Sequence, residues 1–294
     1  MQEVLNMSRD PAGENGEKKK GGCLKTGLII LAVILVIALI VGIIAYRQLK
    51  VEYDNYMNES AGQQVAIMGE EVPDFTVTTT DGEEVTLSDL IASHEVTVLN
   101  IFTSWCGPCQ REFPEMEKVY KKYQDKLAIL ALTDEEEDTM EIISDYKKDL
   151  GLTFMMGLDE GKTDSIPVSG YPTTVIIDRN GKVVFCQSGT IPEEEIVEKL
   201  YTSFMGDDYD GSPVFMYTAM VADRTQGVEG AVVRFTSDGD TQEVTTDADG
   251  FGVIFVNAPA KYQVTLESLP DGYKAKVDET SVGPESGWAT FTVE

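Results

Sequence analysis

Residues Gly27 to Tyr46 form a run of 20 without a charged side chain, built mostly of Leu, Ile, Val and Ala. As a helix rising about 1.5 Å per residue, such a run crosses the roughly 30 Å hydrocarbon core of a bilayer. Lys18, Lys19, Lys20 and Lys25 precede it, whereas Arg47 and Lys50 follow it diluted by Glu52 and Asp54. The more basic flank stays in the cytoplasm. The expectation is a single-pass cell-membrane protein: a cytoplasmic tail over 1–26, a transmembrane helix over 27–46, and residues 51–294 outside the cytoplasm. A cleaved signal peptide is the rival reading. Its h-region is usually only about 7–15 residues, and no clear small-x-small cleavage site follows this run.

The charge is unevenly placed. The chain has 23 Lys/Arg and 51 Asp/Glu, a net of -28; residues 1–50 hold seven and four of these, which leaves 16 and 47 beyond them, a net of -31. Such a surface repels nucleic-acid backbones and anionic headgroups, so neither is expected as a ligand of the folded part.

Past a polar stalk over 47–68 the pattern changes. Asp81-Gly82 between two short β-rich runs reads as a hairpin turn, and Ser88 as a helix cap. Val96–Phe102 is a nearly continuous apolar run, the signature of a central buried strand. Helices are expected over 108–124, 135–150 and 192–204, with Gly151 stopping the second and Pro192 in the first turn of the third. Strands are expected over 127–132, 154–158, 173–177 and 182–186, the last two joined by an Asn180-Gly181 turn. This is a layered α/β unit over 69–205. Met205–Pro213 has the composition of a linker, set at 206–212. Beyond it, over 213–294, six short β-rich runs between Asp-Gly turns indicate a small all-β sandwich.

Trp105-Cys106-Gly107-Pro108-Cys109 carries the chemistry. Zinc would normally need two further ligands, and no second C-x-x-C exists. The one histidine, His94, precedes the buried strand and reads as a solvated edge residue; without a second imidazole, Cys/His hydrolytic chemistry is disfavoured as well. Thiol–disulfide exchange needs neither. Between a strand and a helix, Cys106 falls at the helix N-terminus, where free N–H groups favour a thiolate and make it the attacking sulfur. Cys109, a turn further in, becomes the resolving thiol. Gly107 and Pro108 leave room for a partner's disulfide, and Trp105 offers it a flat apolar contact. Cys23 reads as a cytoplasmic thiol. Cys186 reads as a buried structural one, a second resolving thiol being the alternative.

Val72-Pro73-Asp74-Phe75, the stretch Val98 to Pro114 around the cysteines, and Gly170-Tyr171-Pro172-Thr173-Thr174 together resemble membrane-anchored thioredoxin-like proteins of the TlpA/ResA type. The resemblance covers about 69–205 and implies a thioredoxin fold that exchanges disulfides with exported proteins, resupplied with electrons by a membrane partner. It implies no cofactor beyond the redox-active Cys106–Cys109 disulfide. Pro172 matches the family's cis-proline, and Tyr171 the position before it, where substrate backbone pairs. Glu112 matches an acidic residue three after the second cysteine. One helical turn puts it on the face of Cys109, where it could relay a proton; a solvated first-turn glutamate is the alternative. Asn100 stands where cytoplasmic thioredoxins carry a buried aspartate, which favours the anchored subgroup. Leu99 stands where the peroxidase relatives need proline. Val228–Phe235, Thr245–Gly250 and Leu269–Tyr273 resemble Cna-B-like and carboxypeptidase-regulatory-like sandwiches, for which spacing or partner binding is expected.

The expected architecture is therefore an α/β thioredoxin-like fold, preceded by one transmembrane helix and followed by a small all-β sandwich. The expected function is reduction of exported disulfides; the alternatives are an oxidant or isomerase, and a surface binding protein with the redox unit as scaffold.

Overall fold

The structure is a computed structural model and describes residues 21–191, 193–284 and 287–294. The expectations for residues 1–20 and for Pro192 fall outside these. The chain divides into two units, Met1–Asp54 and Asn55–Glu294.

In the first unit the apolar run is helical. It belongs to α1, Gly21–Ala66, within which Ile29–Val51 is long and apolar enough to cross a membrane. Helix continues through the residues expected as a stalk, and from Asn55 to Ala66 it belongs to the second unit. Gln64 is buried there and donates from Nε2 to the Pro167 carbonyl at 2.8 Å and to Ser188 Oγ at 2.6 Å. Tertiary contacts thus begin within the segment expected as a stalk, ahead of the unit expected over 69–205.

In the second unit, β1 (Thr76–Thr78) and β2 (Glu84–Thr86) form the Asp81-Gly82 hairpin, with Gly82 at φ 81°. Helix α2 is Leu87–Ser93. Ser88 lies inside α2 rather than capping it. Asp74 does the capping from 14 residues away, accepting from Ser88 N at 2.9 Å and Ser88 Oγ at 2.8 Å.

Five strands make the main sheet. β3 (Val96–Phe102) has every residue buried; α3 is Gly107–Tyr123, β4 is Leu127–Thr133, and α4 is Met140–Leu150. β5 (Met155–Leu158), β6 (Thr173–Asp178), β7 (Val183–Ser188) and α5 (Glu194–Thr202) complete it. The order is β5-β4-β3-β6-β7, with β3 parallel to β4 and antiparallel to β6. The nearly continuous apolar run therefore is the central strand, as a sheet covered on both faces requires. Strand parity divides two cores. Val96, Val98 and Phe102 pack with Phe113, Met116 and Val119 of α3, whereas Leu99 and Ile101 pack with Leu87 and Leu90 of α2.

Helix α4 starts five residues later than its periodicity suggests. Thr139 caps it, its side chain accepting from Ile142 N, and Gly151 ends it at φ 67°. Residues 134–138 are instead drawn into a turn by Asp138, whose Oδ2 accepts from Thr133 Oγ1 at 2.5 Å and Ser104 N at 3.1 Å.

After residue 213 two further sheets follow. β8 (Phe215–Ala222), β9 (Val232–Ser237), β10 (Asp240–Thr245), β11 (Phe251–Val256), β12 (Tyr262–Ser268), β13 (Glu279–Val282) and β14 (Trp288–Thr292) order as β10-β9-β12-β13 and β11-β8-β14. β13 escapes the sequence pattern because it is a polar edge strand with one buried residue. Phe215, Tyr217, Ala219 and Val221 of β8 share a core with Val233, Phe235 and Val264 of the other sheet. Val214 and Met216 belong instead to the cluster that holds Cys106 and Cys109, where Phe255 of β11 also packs. One face of this sheet is thus closed by the redox unit.

Candidate active site

The chain leaves β3 at Phe102, turns through Thr103–Trp105 and enters α3. Cys106 is the N-cap of that helix, and Pro108 lies in its first turn, where its missing N–H costs nothing. Cys106 and Cys109 are joined as a disulfide with Cα atoms 5.3 Å apart. The N–H of Cys109 points at Cys106 Sγ from 3.0 Å, the geometry by which a helix start stabilises a sulfur anion. Both cysteines are buried, and Gly107 and Pro108 are half-buried.

Trp105 is 64% exposed. Its indole N–H donates to Glu135 Oε2 at 2.7 Å, and its ring meets Tyr171 edge-to-face at 5.9 Å. The Tyr171 hydroxyl donates to Asp134 Oδ2 at 2.8 Å. The Tyr171–Pro172 bond is cis. Trp105 and Tyr171 therefore form an aromatic rim beside Cys106, each tied to the turn after β4. Burial raises the proton affinity of Asp134 in that turn, against the lowering effect of the tyrosine hydroxyl. Glu135 falls in the stretch whose periodicity predicts a helix and Asp134 in the gap before it, so nothing local marks either as part of the site; Thr139, a residue type favoured at caps, signals the later helix start.

Glu112 lies one turn past Cys109, but it is not a solvated first-turn residue. It is 1% exposed. Asn100 Nδ2 donates to its Oε1 at 3.2 Å, Thr174 Oγ1 lies 3.5 Å from the same oxygen, and the Ile191 N–H donates to Oε2 at 2.6 Å. The β3–β6 register sets Asn100 directly opposite Thr174, and even parity turns Asn100 to the α3 side of the sheet. Burial pushes the Glu112 carboxyl up to about 8; the hydrogen bonds oppose this without cancelling it. Tyr201 of α5 is buried nearby, its hydroxyl without a hydrogen-bond partner among the described residues and its proton held well above the usual range by burial, with the Glu112 charge adding to it. Thr174, Ile191 and Tyr201 were invisible in sequence because tertiary pairing alone brings them to Glu112.

Cys186 is not brought to this site. It pairs opposite Val175 in β7, packs with the cluster on the other face of the sheet, and burial pushes its thiol up. His94 ends α2, its Nδ1 2.9 Å from the Leu90 carbonyl oxygen. Asp247 is used as turn chemistry, its Oδ1 accepting from Asp249 N and Phe251 N.

Residues 68–186 match the AhpC/TSA family. The thioredoxin-like protein YneN of Bacillus subtilis (strain 168) is 34% identical over 151 residues, 50% of this chain and 85% of that protein. The thiol-disulfide oxidoreductase ResA of Bacillus thuringiensis (strain Al Hakam) is 33% identical over 132 residues, 44% of this chain and 74% of that protein. ResA of Bacillus subtilis (strain 168) is 32% identical over 146 residues, 49% of this chain and 80% of that protein. A thioredoxin-like sheet, a disulfide at a helix start and these similarities converge: the chain belongs to the family of thioredoxin-like thiol–disulfide oxidoreductases that includes YneN and ResA.

Proposed function

We propose that this protein is a membrane-anchored reductant of disulfides in exported proteins, working through Cys106 and Cys109. The observation that carries the reading is a helix-capping Cys106 whose partner Cys109 lies one turn from a buried, proton-retaining Glu112. In the reduced enzyme the Cys106 thiolate attacks a substrate disulfide, and one substrate thiolate leaves. The carboxylate form of Glu112 takes the proton of Cys109, whose thiolate attacks Cys106 Sγ and releases the second substrate sulfur as a thiolate, which the Glu112 proton or solvent then neutralises. Two electrons pass to the substrate and the Cys106–Cys109 disulfide forms. A membrane-borne dithiol would return the electrons. Trp105, Gly107, Pro108, Tyr171 and Pro172 would form the substrate surface. The apolar run 27–46 would hold the chain in the cell membrane with 51–294 outside the cytoplasm, a topology supported by the lysines before it. The division into tail 1–26, stalk 47–68, redox domain 69–205, linker 206–212 and Cna-B-like sandwich 213–294 belongs to this reading. The shared core of the two C-terminal sheets supports its last part.

A Cys109→Ser variant in intact cells should accumulate mixed disulfides at Cys106 with exported proteins, and Cys106→Ser should trap none. A reduction potential near that of strong periplasmic oxidants, about -120 mV, would overturn the reducing direction, whereas one near about -270 mV supports it.

A further inference from the structure

The segment joining β7 to α5 carries two of the bonds that frame the redox pair. The Gly189 N–H donates to the Pro172 carbonyl at 2.8 Å, and two residues on the Ile191 N–H donates to Glu112 at 2.6 Å. Gly189 has φ 108°, a conformation side chains rarely adopt, and its bare face is occupied from the C-terminal sheets. A Cβ built there would stand 3.2 Å from Nε1 of Trp288, the first residue of β14. Phe251 of β11 in turn meets that indole edge-to-face at 5.9 Å. The turn before β14 is seated equally closely, since a Cβ on Gly287 would stand 3.3 Å from Gln187 Nε2 of β7.

These groups wall a cleft of about 620 Å³, with Trp288, Phe251 and Met220 on one side, Thr190 and Ile191 on the other, and Glu112 bordering it. Glu112 is nonetheless only 1% exposed, with the Ile191 N–H on its carboxyl and the Trp288 indole lining the same cleft.

We propose that Trp288 is a positioning residue for the redox site: the C-terminal sheets use its indole to hold the Gly189–Ile191 segment over Glu112 and to keep solvent from the carboxyl. The inference rests on Glu112 serving as proton relay for Cys109. Groups facing Glu112 from the other elements are Asn100 and Thr174, which are neutral, and the Tyr201 hydroxyl. Around the cleft, Arg111, Glu115 and Lys118 come from α3 itself. Glu193 to Glu195 come from the start of α5, and Asp249 from the turn before β11. None of these is removed with the indole. Burial is the leading cause of the high proton affinity of Glu112, so hydrating the cleft lowers that affinity.

The test is the pH profile of insulin disulfide reduction by the full-length protein in detergent, with dithiothreitol as electron source. The wild type should show an ionisation limb near pH 8, the value of Glu112. Trp288→Ala should move the limb toward acid by about one unit, the size of an ordinary environmental shift. Trp288→Phe, which keeps a ring on the segment, should return it toward the wild-type position. Trp288→Leu keeps an apolar side chain in β14 and serves if the alanine variant does not fold; its limb should move the same way. Glu112→Gln separates the two claims. A limb that survives Glu112→Gln refutes the relay reading itself. A limb abolished by Glu112→Gln but unmoved in the Trp288→Ala and Trp288→Leu proteins leaves the relay standing and overturns the positioning role.

Discussion

Asn100 Nδ2 donates to Glu112 Oε1 across 3.2 Å of buried space, from the middle of β3 to the second turn of α3. An amide in that place holds the carboxyl without adding a charge, so the proton affinity of Glu112 is set chiefly by its burial. Its folded value, about 8, lies above the 4.5 of a free glutamate. Below about 4.5 both states carry the proton and the stabilisation is complete. Between those values the folded state holds a proton that the unfolded state has lost, so stability falls as pH rises, at up to about 1.4 kcal/mol per unit. Above the folded value the loss is complete. Glu112→Gln cannot titrate. The difference in unfolding free energy, wild type minus Glu112→Gln, should therefore decline across that window; a difference flat from pH 5 to 8 in denaturant titrations contradicts the buried neutral carboxyl.

Trp105→Ala should separate stability from activity. The side chain is largely solvent-facing, so unfolding should change by no more than about 0.5 kcal/mol. Loss of the flat contact beside Cys106 should lower kcat/KM toward a protein disulfide roughly tenfold, the usual weight of an aromatic anchor. Reduction of a small disulfide should change much less, and steady-state kinetics on the two substrates measure the contrast.

Thr139→Ala removes the side-chain acceptor for Ile142 N at the start of α4. The expected cost is about 1 kcal/mol, read as a lower urea midpoint at unchanged slope. A neutral result would mean that α4 is held by packing alone.

Phe113→Ala strikes the core directly behind the disulfide. Phe113 is fully buried and meets Phe102 at 5.1 Å, Phe154 at 5.7 Å and Tyr146 at 6.0 Å, all edge-to-face or nearly so. Its removal should cost about 3–5 kcal/mol. Differential scanning calorimetry would register a drop of several degrees in Tm.

Much of the redox unit was legible because its signals are local. A β-branched apolar run makes a central strand wherever it lies, and Cys-Gly-Pro-Cys after such a run caps a helix. Gly151 stops α4 because positive φ is a property of one residue. The failures are equally specific. Acidic residues 135–138 scan as helix, yet Asp138 spends its carboxylate on Thr133 and Ser104, a choice that exists only once β3 and β4 are paired. β8 carried an unread clue: an apolar run without alternation cannot belong to a sheet with a wet face, and its second face lies against the redox core.

Sequence by itself determined which sulfurs pair, where the chain is apolar enough to cross a membrane, and which stretches prefer helix or strand. These follow from spacing, side-chain volume and backbone preference over a few residues. Only the tertiary structure decided that Glu112 is buried rather than solvated, because its partners Asn100, Thr174 and Ile191 come from three separate segments. The same holds for Trp288 against Gly189, a contact between residues far apart in the chain. Proton affinity in a low-dielectric site depends on what surrounds a group in space, and no window along the chain contains those neighbours.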